Sequence, residues 1–318
     1  MKQKHISKAQ SAMEMSLRSW WSISKRIVTN VQKHNIPLIS AGVAFYCLLA
    51  IFPLLGATIA LYGLVVSADE LQKHMALIVD VVPRDSRYII EEQLTNLTEK
   101  TNSALGWSFL LTLLLSLWSS SKGANALIKA CNITYNETNA RGFFKGLLAR
   151  LTGTLCVIAT VIIALATITI LPELISWLSN NTVSTKQAAW VSWPTMLIFF
   201  NLGLSALYRY AHHRRSAQWR WVTPGSLFAT ILWVIASYGF SIYLNEFASY
   251  NKTYGSVGGI IVLLMWLYLS AYIILIGAEV NSSIELQTTA DSTVGEDKPM
   301  GHRNAVVADN TPADLRDT

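Results

Sequence analysis

Six apolar stretches, residues 38–66, 103–121, 151–171, 190–208, 222–244 and 257–278, run through this chain without a charged side chain in any of them. Each is close to or longer than the ~20 residues that cross a ~30 Å hydrocarbon core, and a helix is the simplest way for such a run to satisfy its own backbone there. The expected fold class is therefore all-α, a polytopic membrane protein with six transmembrane helices. Composition agrees, since 52% of residues are hydrophobic and 14% charged, where a soluble domain carries ~25% charged. A soluble core rarely hides six helices that are apolar all round.

Basic residues fall mainly into alternate gaps. Residues 1–36, 122–150 and 209–220 are rich in Lys and Arg; residues 67–102 offset their bases with acids, and the third and fifth gaps hold one base each, Lys186 and Lys252. Positive charge resists translocation, so the rich segments and both termini are expected in the cytoplasm of a bacterial inner membrane. The net charge of +6 then needs no nucleic-acid partner, and the bases of 209–221 read as a short interfacial loop with Trp219 and Trp221. Cys47, Cys131 and Cys156 are placed in spans or on the reducing side, so no disulfide is expected. The first apolar run is longer than a signal-peptide core and is expected to remain as a signal anchor.

Between the spans the pattern changes. Residues 1–36 form a polar arm in which Met13, Leu17, Trp20, Trp21 and Ile27 approach helical spacing, as in a helix lying in the interface. The first span carries Pro53 at its middle, where a missing N–H and a ring clash predict a kink and a candidate hinge. Residues 67–102 read as two amphipathic external helices broken at Pro83. The acidic tail, 285–318, is poor in aromatics and expected to be a disordered cytoplasmic segment.

Candidate chemistry is sparse. His212 and His213 are adjacent but lack partners at ligand spacing; no Gly-rich phosphate loop is present; Ser119 to Ser121 precede Lys122 without a third group to orient a nucleophile. No catalytic, cofactor or metal site is expected. Glu279, closing the last span, is costly near lipid and calls for a partner such as Lys122, Lys129 or Arg141, or for snorkelling at the interface. Asn201 is expected to hydrogen-bond across helices. The Ser-rich end of the second span, with Gly123 and Asn125, makes a small polar patch suited to helix packing.

The runs AGVAFYCLLAIFPLL (41–55) and LWSSSKGANALIKACNITY (117–135), then Arg141, Phe144, Lys145, Pro224 and Gly225, and finally SYNKTYGSVGGIIVLLMWLYLSAYIILIGAEVN (249–281), resemble the YihY/BrkB family of bacterial inner-membrane proteins across roughly residues 36–285. The resemblance implies six helices and a biochemical role that is not defined, sometimes linked to virulence; the ribonuclease label once attached to that family reads as a misassignment. Tyr250, Asn251, Tyr254 and Gly255 make its short turn before the sixth span, with Gly for tight geometry and Tyr at the interface.

Three functions compete on this reading. The first is a transporter-like protein that translocates a lipid or amphiphile, with Lys122, Asn125, Arg141 and Glu279 as substrate or headgroup contacts. The second is a scaffold that binds a partner through the external helices or the tail. A membrane-tied nuclease is the third and the weakest, for want of a metal site. Membrane lipids with anionic headgroups are the expected partners; nucleic acid is not, and a homo-oligomer is compatible with the pattern.

Overall fold

The computed structural model describes residues 9–63, 107–137, 142–179, 185–246 and 256–316. Among them the chain is built of helices: α1 (Leu17–Lys33), α2 (Ile36–Gly63), α3 (Trp107–Thr134), α4 (Phe143–Leu178), α5 (Thr185–Tyr210), α6 (Trp219–Glu246), α7 (Ser256–Glu285) and the single-turn α8 (Val306–Asp309). Every predicted span falls on one of α2 to α7. Among the described residues four helical segments are by themselves long and apolar enough to cross a membrane: Phe143–Ala164, Trp190–Tyr210, Trp219–Leu244 and Gly258–Glu285; a bent pair, Leu17–Lys33 with Ile36–Ile51, makes up to five. The first two predicted spans run into residues 64–106, which lie outside the described residues, as does the external helical pair.

The molecule is turned inside out relative to a soluble bundle. Leu111, Leu115, Val157, Phe199, Ile231 and Ile260 on successive long helices are all exposed, and only 11–17% of the four apolar segments is buried within the chain. Apolar side chains so arranged need lipid as their solvent.

Helix α7 is the central post, touching α1, α2, α3 and α6. Its closest approach is to α6. A Cβ on Gly277 would lie 2.8 Å from the Gly225 carbonyl oxygen, and one on Gly225 only 2.2 Å from that of Gly277. Glycine at both positions is what lets the two backbones meet. Asn281, one turn further along α7, accepts from the Gly225 N–H (2.7 Å) and donates to the Val222 carbonyl (2.9 Å). That clasp occupies backbone groups in the first turns of α6, where Pro224 has no N–H to give.

The N-terminal arm is a helix, as its spacing predicts. Ser16 caps it, accepting from the Ser19 N–H, and Ile23 is fully buried against Val280, Ile284 and Trp221 while Leu17, Trp21 and Val28 face outward. Helix α2 continues unbroken through Pro53. A bend of 61° separates α1 from α2, where Asn35 adopts a left-handed φ of 50°.

The expectation of a disordered tail is corrected. Residues 286–316 fold back on the end of the bundle that carries α1, the α3 terminus and the α5–α6 loop. Thr293 bridges to Ala217; the Val306 N–H donates to Glu137 (2.8 Å), and Lys33 donates to the Leu315 carbonyl (3.1 Å). Arg303 sits at the tail's centre, giving hydrogen bonds to the carbonyls of Thr289, Ala290, Lys298 and Ala308. A segment poor in apolar residues can still order when a buried guanidinium satisfies several carbonyls at once.

Candidate functional site at the polar end of the bundle

Three arrangements of polar side chains gather at this end, each fixed by a different pair of elements. The first surrounds Glu279. Its side chain is fully buried, hydrogen-bonded through one oxygen to the His34 ring and through the other to the Asn30 amide (3.2 Å). The prediction of a basic partner or an interfacial snorkel is therefore corrected: the partner is histidine, brought from the α1–α2 junction, and the group does not reach outward. Lys122 instead lies over the Trp118 ring, 5.0 Å from its centre.

The second is a buried ion pair. Arg214, from the α5–α6 loop, meets both Glu285 oxygens at 2.8 Å, and both side chains are fully buried. Ser292 adds a third bond to Glu285 (2.9 Å), and the guanidinium covers the Tyr135 ring at 4.6 Å. Burial works against the Arg214 charge, but the facing carboxylate outweighs it and raises the pKa above the ordinary arginine value. Burial likewise pushes the Glu137 carboxyl and the Tyr135 phenol up.

The third is open. Between α3 and α4 lies a cavity of about 170 Å³ lined by Asn125, Ile128, Lys129, Phe143 and Arg150, among others. Arg150 is steadied by donation from Nε to the Gly146 carbonyl (3.1 Å). Among the described residues neither Lys129 nor Arg150 enters an ion pair. Phe143, Phe144 and Leu148 on the first turns of α4 are exposed beside it. The groove thus offers unpaired positive charge next to uncovered apolar surface.

The structure separates the predicted contacts. Asn125 lines the cavity, Lys122 and Glu279 lie outside its lining, and Arg141 falls outside the described residues, as do Tyr250, Asn251, Tyr254 and Gly255. In the sequence Arg150 was visible only as a basic residue of its gap, and Lys129 as that and as a possible partner for Glu279; their helical positions on α3 and α4 bring them together around the cavity. The small-residue patch serves packing, since a Cβ on Gly123 would stand 3.1 Å from the Ala50 Cβ and Ser120 and Ser121 bond back to carbonyls of their own helix. Asn201 donates to Ser226 (3.3 Å) and Thr230 (3.1 Å) across the α5–α6 contact, as expected. Cys47, Cys131 and Cys156 are unpaired. His212 packs against the Tyr135 ring at 3.9 Å, and among the described residues no three His, Cys, Asp or Glu side chains are grouped to hold a metal ion.

Outward apolar faces on several membrane-length helices, closed at one end by an ordered polar layer, define a multi-pass membrane protein. The family model described as Virulence factor BrkB matches residues 27–300, and the chain belongs to that family of bacterial membrane proteins. A protein named ribonuclease-like protein YfkH, from Bacillus subtilis, is 31% identical over 268 residues, which is 82% of this chain and 94% of that one. A UPF0761 membrane protein of Idiomarina loihiensis is 27% identical over 228 residues, 68% of this chain and 74% of its own. Another, from Pseudoalteromonas translucida, is 39% identical over 69 residues, 22% and 23% of the two chains. No solved structure matches at a significant level.

Proposed function

We propose that this protein is a carrier for anionic lipids or related amphiphiles, not an enzyme, and that the α3–α4 groove receives the headgroup. On this reading the chain crosses the bacterial inner membrane six times, with both termini and the ordered polar layer in the cytoplasm. The observation that carries the proposal is the pairing of Lys129 and Arg150, both without an acidic partner among the described residues, with the exposed Phe143, Phe144 and Leu148 around one cavity. A phosphate-bearing headgroup fits the charges and an acyl chain fits the apolar rim. Each cation near an anionic headgroup contributes about 1 kcal/mol, so losing one weakens lipid capture about fivefold.

The test is reconstitution into liposomes carrying a fluorescent phosphatidylglycerol in one leaflet, with a zwitterionic analogue as control. The proposal expects faster exchange of the anionic lipid than in protein-free vesicles, and a loss on Lys129→Gln with Arg150→Gln. Exchange no faster than in empty vesicles sinks it, and so does a rate unaffected by the double substitution.

A further inference from the structure

We propose that His34 and Glu279 form a proton-binding site, and that the bound proton holds the α1–α2 junction against α7 and the end of α3. The inference stands apart from the lipid-carrier reading, because it concerns a contact present without any cargo.

Both nitrogens of the His34 ring meet acceptors. Nδ1 faces a Glu279 carboxylate oxygen, and Nε2 lies 3.3 Å from the Asn136 side-chain oxygen. A neutral imidazole carries one N–H and can fill only one such contact. Filling both takes one proton more than a neutral ring beside a carboxylate, carried either as imidazolium against carboxylate or as neutral imidazole against a protonated carboxyl. The proton comes from bulk water and sits between Nδ1 and Oε1; nothing is oxidised or reduced. Among the described residues no second cation pairs with Glu279. The Asn30 amide donates to the other Glu279 oxygen but brings no charge, and Glu279 is fully buried, where an uncompensated carboxylate is costly.

The charged groups nearest this pair along α1, α7 and the end of α3 have partners of their own. On α1, Arg26 donates to the Ser283 carbonyl and to Gln287, and Lys33 to the Leu315 carbonyl. On α7, Glu285 is paired with Arg214; past the end of α3, Glu137 accepts from the Val306 N–H. Helix α2 contains no charged residue. The buried titratable groups at this end include Cys131, Tyr135, Tyr208 and His212, ordinarily neutral near pH 7, His212 depending on its own partners; His213 is exposed.

The placement gives the proton leverage. His34 caps α1 immediately before the left-handed Asn35 and the 61° bend, so its ring ties the junction to α7 through Glu279. Asn136, also left-handed with a φ of 53°, ends α3 in a Schellman turn, with Asn136 N–H donating to Ile133 and Glu137 N–H to Asn132. With the proton bound both ties hold. Without it, a lone pair on one ring nitrogen faces an acceptor oxygen and that tie opens. The contact is closed at low pH and loosens as pH rises.

The experiment uses the full chain in lipid nanodiscs with no transported lipid added. Spin labels are placed at the exposed Leu17 on α1 and Ile133 on α3, and dipolar distances are recorded from about pH 5 to about pH 9, bracketing ordinary histidine titration. The wild-type distance is expected to change along a one-proton curve. Glu279→Gln, whose amide can both donate and accept, is expected to stay closed throughout, and His34→Gln to lose the titration. Asn136→Leu keeps both titrating groups but removes an acceptor for the protonated ring, so its midpoint moves to lower pH. A wild-type distance constant over the range overturns the proposal, and this needs no variant to fold. So does a titration that persists in Glu279→Gln, or an unmoved midpoint in Asn136→Leu.

Discussion

Glu285→Gln is the sharpest perturbation available, because it removes a charge and almost no volume. In the native protein the Glu285 carboxylate neutralises Arg214 through two 2.8 Å bonds, with both side chains fully buried. Charges about 4 Å apart attract by about 4 kcal/mol at an effective dielectric constant of ~20, and breaking a buried pair from one side costs about 3–5 kcal/mol. Glutamine keeps an acceptor for one guanidinium nitrogen, and the Tyr135 ring 4.6 Å away still offers the cation a face, worth about 2 kcal/mol when desolvated. We therefore expect a loss of about 3 kcal/mol. Arg214 cannot relieve it by losing its proton, since its pKa starts above the ordinary arginine value and remains far above neutral pH even without the carboxylate.

Equilibrium unfolding in mixed micelles measures this, with Arg214→Met and the double variant Arg214→Met/Glu285→Met closing a double-mutant cycle. The single variants should each fall by about 3–5 kcal/mol, and the double variant should recover most of that, because two apolar side chains leave no charge stranded. A Glu285→Gln protein within about 1 kcal/mol of wild type, or a double variant as unstable as the sum of the singles, would refute the reasoning.

The α6–α7 crossing supplies a steric test. Gly277→Ala puts a Cβ 2.4 Å from the Tyr208 hydroxyl and 2.8 Å from the Ala229 Cβ, so the same unfolding measurement should show a loss of about 1–3 kcal/mol. Gly239→Ala, where nothing lies within 4 Å, should be neutral or stabilising by up to ~1 kcal/mol. The tail supplies a pH test. Burial raises the Asp291 pKa, but bonds from the Lys298 and Thr293 N–H groups and the Thr293 hydroxyl, with the Arg303 charge, outweigh it and hold the carboxyl below its ordinary 3.8. A depressed carboxyl contributes stability above its unfolded pKa and loses it as pH falls through the lower folded value. Amide exchange across residues 286–316 should therefore be faster in Asp291→Asn than in wild type at neutral pH, with the difference fading as pH falls from 3.8 through the lower folded value.

The helices were legible because an apolar run of membrane length has few ways to satisfy its backbone. Their ends were not. Residues 103–121 were read as the second span, yet α3 continues to Thr134, because Lys122 to Thr134 is helix packed on protein, with Ala130, Cys131 and Asn132 buried, and it lacks the uniform apolarity that marks a lipid-facing run. Composition failed for the tail for a related reason. It averages side chains, whereas the order of residues 286–316 rests on single polar groups with many partners, Arg303 and Asp309 above all; Asp309 accepts from the N–H groups of Gly301, Arg303 and Ala305.

The partner of Glu279 shows where the limit lies. Electrostatics required something to answer a buried acid at the end of α7, and the search for it naturally fell on Lys and Arg in the neighbouring loops. A lysine is long and strongly hydrated, and here Lys122 and Lys129 stay exposed, the first over Trp118 and the second at the open groove, where charge can meet solvent or a headgroup. A carboxylate sealed among helices is better matched by a compact ring that can be charged or neutral, and His34 stands 245 residues away in sequence, in the short junction before Pro37. Its signal was present, a histidine beside a helix-opening proline at the end of an arm rich in Lys and Arg. Only the packing of α1 on α7 gives that signal its meaning, so a titratable pair at a bent junction is a property of the fold that no single stretch of this sequence encodes.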